Sequence, residues 1–151
     1  MDSREIAVRQ AEPADEQAWR RLFAAYLKFY RTEISDAATS ETWRRVHDAS
    51  SGVHCLVASR DGAVSGFANY LFHPSTWDPR PTCYLQDLFV DEAVRGSGAA
   101  RRLILACEAA AKARGAFRLY WVTQEFNAPA RSLYDTLAQR TSFIVYRMPL
   151  A

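Results

Sequence analysis

Apolar and polar residues follow two different rhythms along the first third of the chain. Residues 6–10 alternate singly between the two classes, which predicts a short strand. Residues 15–30 carry large apolar side chains at intervals of three and four, which predicts a helix with one apolar face that packs on a sheet. Polar residues 35–40 predict a loop, and residues 41–47 predict a second, shorter helix.

The middle of the chain contains three runs rich in β-forming residues. Residues 53–59 and 63–72 are joined by an Arg-Asp-Gly segment, and Asp-Gly between two such runs is a hairpin signal. A loop with three prolines covers residues 73–81, and residues 82–90 form the next predicted strand. Three sequential strands of this kind predict an antiparallel sheet.

The pattern changes to helical spacing after residue 90. Residues 98–114 predict a helix that Gly115 closes, because glycine favours the position after a helix end. A strand over 117–122, a helix over 128–137 and a last strand over 142–148 follow. The predicted order is β-α-α-β-β-β-α-β-α-β. Because no repeat or linker interrupts it, the pattern predicts one mixed α/β domain spanning all 151 residues.

Composition and charge narrow the classes of protein that this chain can represent. Hydrophobic residues make up 49% of the chain, which is enough for a core, and 19 basic against 17 acidic side chains leave a formal charge of +2. That balance argues against bulk binding of nucleic acid or of a membrane. The three cysteines lie in apolar runs without metal-ligand spacing, which predicts buried thiols and no metal site. Buried free thiols are typical of a reducing compartment, so we expect a cytoplasmic protein.

A glycine-containing loop between a strand and a helix is the first candidate for chemistry. Gly96 and Gly98 can adopt positive φ, and Arg95 and Arg101 add positive charge near the start of a helix. The small residues Ser97, Ala99 and Ala100 would let a diphosphate approach the backbone. The alternative is a tight connection with no ligand. The segment is not a P-loop, because no Lys-Ser or Lys-Thr follows the second glycine at the required spacing, and it is not a dinucleotide fingerprint, because Arg101 occupies the third glycine position.

Two segments resemble the signature of the GNAT acetyltransferases. Residues 88–103 match the R/Q-x-x-G-x-G/A pattern through Arg95, Gly98 and Ala100, and residues 127–134 are similar to the N-x-x-A-x-x-L/F-Y segment. The resemblance implies a splayed, mostly antiparallel sheet with helices on both faces. It also implies that acetyl-CoA lies with its pantetheine arm against the strand residues Leu88, Phe89 and Val90 and its pyrophosphate on the glycine loop.

Three further stretches resemble one branch of that family. Residues 53–58, 66–68 and 84–90 are similar to the diamine, thialysine and yeast histone-type acetyltransferases. The resemblance implies transfer of an acetyl group to a primary amine by direct attack in a ternary complex, and a homodimer. Gln86 stands where the branch usually has Glu, which weakens the case for a polyamine, and Ala138 stands where a glycine usually ends the last helix. A protein lysine, or a module that binds acetyl-CoA without turnover, are the alternatives.

Two residues downstream match positions at which the family contacts or protonates CoA. Tyr134 matches the position at which the family places a general acid for the CoA thiolate, and a tyrosine with a pKa of about 10 suits a weakly acidic leaving thiol. The alternative is a core aromatic residue. Asn127 matches the residue on the pantetheine side. A backbone N–H near Phe89 or Val90 could polarise the thioester carbonyl if the strand ladder opens there.

The acceptor side has weaker candidates. Asp87 and Glu125 could steer an ammonium group or pass its proton to water, although a surface carboxylate and a helix-start residue are the respective alternatives. Asp87 and Gln86 point to opposite faces of an alternating strand, so one of them faces the substrate side. Glu33 and Trp77 lie in loops that could cover the acceptor site.

The remaining polar and apolar features have structural interpretations. The histidines show no metal or triad spacing and are interpreted as structural; they are His47, His54 and His73. Residues 142–148 carry apolar side chains on both faces of the predicted last strand, so at least one face must be buried. Its partner is a second subunit or the last helix of the same chain, and the exposed edge that it would otherwise leave supports the homodimer.

Overall fold

Five strands form one sheet in the same order in which they occur along the chain. In the computed structural model, which describes residues 5–150, the first four pair antiparallel and the fifth pairs parallel with the fourth. The strands are β1 Ala7–Gln10, β2 Val53–Arg60, β3 Ala63–His73, β4 Thr82–Val90 and β5 Arg118–Tyr120. The helices are α1 Glu16–Phe29, α2 Asp36–Val46, α3 Ala99–Ala113 and α4 Ala128–Leu137. The predicted mixed α/β class with a mostly antiparallel sheet is confirmed.

The chain divides after Trp121 into two compact units. The larger unit contains the sheet with α1, α2 and α3, and the smaller unit contains α4. Within residues 5–150, no helix combines the length and the apolar composition that crossing a membrane would take.

Helices cover both faces of the sheet in the larger unit. Neighbouring residues of a strand point to opposite faces, so Phe67 contacts the α1 ring of Phe23 at 6.0 Å while Gly66 lies beneath Leu103 of α3. A Cβ atom at Gly66 would lie 3.0 Å from the carbonyl oxygen of Phe89. Glycine therefore permits the close approach of β3, β4 and α3.

The core on the α1 face is largely aromatic. Trp19 is fully buried, with its ring 4.8 Å from Phe23, 5.0 Å from Trp43 and 6.2 Å from Phe67. These contacts fix α1 and α2 on the sheet, since buried aromatic rings contribute large apolar areas. The three cysteines are unpaired and buried, as the sequence predicted.

Asp15 connects the first strand to the first helix. Its carboxylate accepts hydrogen bonds from Arg9 Nη1 at 2.7 Å and Arg9 Nη2 at 3.0 Å, and from the Glu12 N–H at 2.8 Å. The hydrogen bonds from Arg9 lower the pKa of Asp15, although burial opposes the shift. A bidentate pair of this kind fixes the direction in which the chain enters α1.

The start of α2 differs from the sequence prediction. Residues 35–40 do not form a loop, because α2 begins at Asp36. The Ser35 hydroxyl accepts a hydrogen bond from the Ala38 N–H at 3.1 Å and caps the helix. Serine and aspartate are common both in loops and at helix starts, so their polarity alone did not separate the two.

The end of the chain also differs. The predicted strand over residues 142–148 is wrong: no residue of this segment pairs with a strand within residues 5–150. Both faces of the segment are exposed in the single chain, where Phe143, Ile144, Val145, Tyr146 and Met148 are each 68–89% exposed, which contradicts burial against the last helix of the same chain. Alternation specifies which side chains share a face, but a strand also needs a partner for its backbone groups.

Candidate active site

A bulge interrupts the pairing of β3 with β4 near the middle of β4. Asn69 lies opposite Asp87 and Tyr70 lies opposite Leu85, so Gln86 has no opposite residue. Gln86 is exposed and Asp87 is partly buried. An extra residue of this kind changes the direction of the neighbouring side chains. The expectation that Gln86 and Asp87 point to opposite faces rested on simple alternation along β4, and the bulge interrupts that alternation.

The sheet opens on the other edge of β4. β5 pairs with β4 only at Thr82, Cys83 and Tyr84, the last of which lies opposite Tyr120. Beyond Tyr84, no strand within the described part of the chain pairs with this edge. Because β5 ends at Tyr120, residues 85–90 of β4 have an unpaired edge, called the gap below, with which an extended ligand can pair.

The register shows which backbone groups face this gap. The Asp91 N–H donates to the Ser65 carbonyl at 2.7 Å, and hydrogen-bonded pairs alternate along an antiparallel ladder. Phe89 therefore directs its N–H and C=O toward β3, whereas Leu88 and Val90 direct theirs toward the open edge. Of the two N–H groups that the sequence singled out, the one on Val90 faces the gap.

The glycine loop follows directly after β4. Gly96 and Gly98 have φ of +83° and +87°, and a Cβ atom at either position would meet nothing within 4 Å. The first hydrogen bond of α3 runs from the Arg102 N–H to the Gly98 carbonyl at 3.0 Å. The N–H groups of Ala99 and Ala100 thus point outward from the helix start, where an anion is favoured.

The side chains of this loop fit an anionic group. Ser97 Oγ is buried and has no hydrogen-bond partner within the described residues, so it can bond to a ligand oxygen. Arg95 is exposed, with its guanidinium 3.6 Å from Glu92 and 6.0 Å from the centre of the Phe89 ring, and Arg101 is also exposed. Backbone N–H groups, one hydroxyl and two guanidinium groups are together suitable for a pyrophosphate.

Asp87 lies on the face of the sheet that α1 covers. Asn69 Nδ2 donates to Asp87 Oδ2 at 3.0 Å, and the hydroxyl of Tyr26 also hydrogen-bonds to Asp87. Burial raises the pKa of Asp87, and the two hydrogen bonds partly oppose that shift. Burial, followed by the charge of Asp87, raises the pKa of Tyr26 and Tyr30. Asp87 is thus a shielded carboxylate among tyrosines.

A second cluster of polar side chains lies where the pairing of β4 with β5 ends. The rings of Tyr84 and Tyr120 stack at 4.7 Å, and the Tyr120 hydroxyl lies 3.0 Å from His73 Nε2. His73 Nδ1 lies 2.8 Å from the carbonyl oxygen of Pro74. Sequence reasoning assigned His73 only a structural role and did not single out Tyr120. Their proximity comes from the parallel pairing of β5 with β4, which the sequence pattern did not specify.

Sequence reasoning also missed Tyr26 and Asn69. Tyr26 has the spacing of a core residue on α1, so the sequence did not indicate that its hydroxyl hydrogen-bonds to Asp87. Asn69, however, is only 4% exposed within an otherwise apolar run of β3. A polar residue inside such a run needs a hydrogen-bond partner, and this signal was present in the sequence.

The two loop residues predicted to cover the acceptor site are exposed. Glu33 lies between α1 and α2, and Trp77 lies between β3 and β4 with 74% of its surface exposed. The guanidinium of Arg118 lies 5.5 Å from the centre of the Trp77 ring. A contact of this kind holds an exposed indole loosely against the sheet edge.

The smaller unit contains the remaining predicted residues. Asn127 precedes α4, and its Nδ2 donates to Thr123 Oγ1 at 3.4 Å. Tyr134 lies within α4 and is partly buried. Glu125 is exposed and lies 3.7 Å from Arg140. The helix ends at Leu137, and Ala138 is extended with φ of −147°, so no glycine conformation is needed there.

Known proteins resemble this chain in sequence. The Acetyltransferase (GNAT) family model matches residues 17–138. The D-amino-acid N-acetyltransferase HPA3 of Saccharomyces cerevisiae is 33% identical over 144 residues, which cover 94% of this chain and 89% of that protein. The thialysine N-epsilon-acetyltransferase of Sus scrofa is 30% identical over 95 residues, which cover 58% of this chain and 55% of that protein.

Solved structures resemble it in fold. The structure of AAC(6')-Iy in complex with the bisubstrate analogue CoA-S-monomethyl-acetylneamine superposes with a TM-score of 0.83 at 21% identity, covering 97% of this chain and 99% of that one. At this identity the likeness shows the fold alone. Together with the family match over most of the sequence and the N-acetyltransferase relatives, it leads to one conclusion: the chain belongs to the GNAT family and is an N-acetyltransferase.

Proposed function

We propose that the protein transfers the acetyl group of acetyl-CoA to a primary amine, which attacks the thioester directly within a ternary complex. The observation that carries this proposal is the open edge of β4, with the backbone groups of Leu88 and Val90 directed into it and the glycine loop directly after it in the chain. An extended amide chain such as the pantetheine arm can pair with an edge of this kind.

The glycine loop would hold the pyrophosphate of acetyl-CoA. Its outward N–H groups and positive charge supply what a diphosphate needs, and the open space at the two glycines admits it. Asn127 would contact the pantetheine side. The loop residues in this role are Arg95, Gly96, Ser97, Gly98, Ala99, Ala100 and Arg101.

Two groups would act on the thioester. The Val90 N–H would donate to the carbonyl oxygen and stabilise the negative charge that develops there, because a fixed donor costs no reorganisation during the reaction. The hydroxyl of Tyr134 would protonate the departing CoA thiolate. We assign no such role to the Phe89 N–H, since the register directs it toward β3.

The acceptor would bind beside Asp87. The carboxylate would attract an ammonium group and pass one of its protons to water, which leaves a neutral amine able to attack. Gln86, Glu33, Trp77 and Glu125 are the further candidates for acceptor contacts. Gln86 is uncharged, so it adds no second carboxylate beside Asp87 for another ammonium group. We therefore favour an acceptor that places one amine near Asp87, such as an amino acid or an amino-acid side chain, over a polyamine. The acceptors named in the two relatives, D-amino acids and thialysine, carry such an amine.

An amine panel tests this proposal. The purified protein would be incubated with acetyl-CoA and single amines, including D- and L-amino acids, diamines, thialysine and a lysine-containing peptide, and the release of CoA thiol would be measured. Release with a small amine supports the proposal, and release with the peptide alone would indicate a protein-lysine acetyltransferase. Binding of acetyl-CoA in calorimetry with no release for any amine would indicate a non-catalytic module.

We also propose that the protein is a cytoplasmic homodimer without nucleic-acid or membrane partners. The three buried, unpaired cysteines support a reducing compartment. The exposed apolar side chains of residues 143–148 support a protein partner, because a cluster of this kind on a monomer is a common interaction site.

A further inference from the structure

We propose that Asn69 and Tyr26 are positioning residues, which hold the Asp87 carboxylate in the direction in which it binds the ammonium group of the acceptor. The inference rests on the proposed acetyl transfer, in which Asp87 attracts that group, and it names the side chains that prepare Asp87 for it. Three observations carry it: the hydrogen bonds that Asp87 receives from two elements, the unpaired oxygen of the Asn69 amide, and the uncharged surroundings of the carboxylate.

Two different elements hold the Asp87 carboxylate. Asn69 lies opposite Asp87 in the ladder of β3 with β4, and its Nδ2 donates to Asp87 Oδ2 at 3.0 Å. The hydroxyl of Tyr26 reaches the same carboxylate from α1. Asp87 directly follows the bulge at Gln86, where alternation along the strand no longer fixes the direction of a side chain. The donors from β3 and α1 therefore fix it instead.

The amide of Asn69 is paired at one end only. A carboxylate can only accept hydrogen bonds, so the amide turns Nδ2 toward Asp87. Its Oδ1 is then buried without a hydrogen-bond partner within the described residues. A buried, unpaired oxygen costs folding free energy that an apolar side chain at this position would avoid. The bond to Asp87 is what an apolar side chain could not supply, which favours a role at the site over a role in the core.

The groups that face Asp87 carry no charge near neutral pH. Tyr26 and Tyr30 face it from α1, and the amide of Asn69 faces it from β3. Cys55 on β2 also senses its charge, and burial raises the pKa of this thiol and of both tyrosines. No cationic side chain in the described part of the chain contributes to the pKa of Asp87. A shielded carboxylate without a counter-ion suits a ligand that brings the positive charge itself.

The two hydrogen bonds also keep Asp87 ionised. Burial raises the pKa of Asp87, and the bonds from Asn69 and Tyr26 oppose that shift because they stabilise the carboxylate form. Burial, followed by the charge of Asp87, raises the pKa of Tyr26, so this hydroxyl keeps its proton and remains a donor. Loss of either donor should therefore raise the pKa of Asp87 further, and the carboxylate would then take up a proton at a higher pH.

The pH profile of two variants tests this role. Tyr26→Phe and Asn69→Leu each remove one donor and retain a side chain of similar shape. In both, the fall of kcat/KM toward low pH should move to higher pH by about one unit, which is a tenfold change in proton affinity. Above that fall, kcat/KM for the amine should stay about tenfold below the unaltered protein, the scale of a hydrogen bond to a charged group. The loss should appear in KM for the amine and not in KM for acetyl-CoA.

A substitution of Asp87 itself shows whether the two residues act through it. Asp87→Asn should remove the fall of kcat/KM toward low pH. Addition of Asn69→Leu to Asp87→Asn should lower kcat/KM by less than about twofold more, because no carboxylate is left to position. A purely structural role of Asn69 predicts the same loss in both backgrounds.

Matched controls separate positioning from general effects on folding. Tyr70→Phe also removes a hydrogen-bonded hydroxyl, since Tyr70 accepts from Gln10 Nε2 at 2.8 Å, but Tyr70 directly follows Asn69 and points to the opposite face of β3. Thr82→Val removes a buried hydroxyl of β4 that has no partner within the described residues. Both controls should keep kcat/KM within about twofold and leave the pH profile in place.

The outcomes distinguish the positioning role from the proposed function. A pH profile that moves in neither Tyr26→Phe nor Asn69→Leu, in a protein that acetylates an amine, would overturn the positioning role alone. A fall toward low pH that persists in Asp87→Asn would also overturn it, since a different group would then titrate. If the unaltered protein released no CoA with any amine, the proposed function would fall and the positioning role with it.

Discussion

Tyr134 is the side chain whose hydroxyl has the most direct part in the proposed chemistry. Replacement by phenylalanine removes one oxygen and leaves the apolar ring, so packing of the partly buried side chain changes little. We expect Tyr134→Phe to lower kcat by about a hundredfold or more, because the CoA thiolate would leave without a proton donor. Steady-state measurement of CoA release gives this value.

Acetyl-CoA binding by the same variant serves as an internal control. The rise in melting temperature on addition of acetyl-CoA should match that of the unaltered protein. Tyr70→Phe also removes a hydroxyl, which accepts a hydrogen bond from Gln10 Nε2 at 2.8 Å, and is the matched substitution that should keep full turnover. Full turnover by Tyr134→Phe would return Tyr134 to a role in helix packing.

The sequence indicates some residues of the candidate site and misses others. It singled out Asp87 and Tyr134 through motif positions, and it carried a signal for Asn69 as a polar residue in an apolar strand. It did not indicate the contact between His73 and Tyr120, which are 47 positions apart in the chain. Such a contact depends on which strands pair and in which direction, and residue type alone does not determine that.

A substitution in the loop between β4 and α3 tests whether this loop binds the pyrophosphate of acetyl-CoA. Gly98→Glu adds a side chain and a negative charge at the position directly before α3, and we expect it to abolish the rise in melting temperature that acetyl-CoA produces. The charge would repel a pyrophosphate and the side chain would fill its space. Differential scanning fluorimetry with and without acetyl-CoA measures the effect.

A second glycine provides the control for this change. Gly62 in the hairpin between β2 and β3 also has positive φ, +79°, and also has open space at its Cβ position. Gly62→Glu therefore introduces a similar backbone strain and the same charge away from the loop. It should keep the response to acetyl-CoA, and a normal response by Gly98→Glu would locate the pyrophosphate elsewhere.

The ion pair that connects β1 to α1 makes a prediction about pH. The lowered pKa of Asp15 means that its carboxylate stabilises the fold above the unfolded value of about 3.9, and that this contribution is lost as the pH falls through the folded value. We expect Asp15→Asn to lower the free energy of unfolding at pH 7 by about 1–2 kcal/mol, a range reduced for the partial exposure of Arg9.

Urea unfolding over a pH series tests this dependence. The difference between Asp15→Asn and the unaltered protein should shrink as the pH falls below about 4, where the unfolded chain takes up a proton, and should level off below the lowered folded value, where both proteins carry an uncharged side chain. A difference that stayed constant down to acid pH would mean that packing, and not the ion pair, is responsible.

Most elements followed from periodicity, and the exceptions have physical causes. The spacing of apolar residues gave α1, α3 and the three central strands to within a few residues. The start of α2 was missed because Ser35 and Asp36 favour both loops and helix starts. The bulge at Gln86 was not predictable, because it depends on how β4 accommodates β3 and leaves no period in the sequence.

The proposed homodimer concerns the whole molecule. The apolar side chains of residues 143–148 are exposed in the single chain, and a second subunit would remove them from water. We expect light scattering to give about twice the monomer mass of 17.1 kDa, with dissociation on dilution. Val145→Asp should shift the equilibrium toward monomer, whereas a mass near 17.1 kDa at all concentrations would rule out the dimer.

The end of the chain shows the limit of sequence reasoning at this scale. Residues 142–148 have the alternation of a strand, yet they form no strand in the structure. Alternation records a preference for extended backbone, while pairing depends on what another segment or another chain supplies. The pattern therefore indicated an extended, apolar segment but could not indicate whether another segment pairs with it.

The open edge of β4 has a consequence for amide hydrogen exchange. Hydrogen bonding to β3 protects the amide protons of Phe89 and Asp91, whereas those of Leu88 and Val90 face the gap. In the free protein, exchange rates along this strand should therefore alternate from fast to slow at successive residues. Acetyl-CoA should slow exchange most at Leu88 and Val90, so NMR would trace the path of the pantetheine arm one amide at a time.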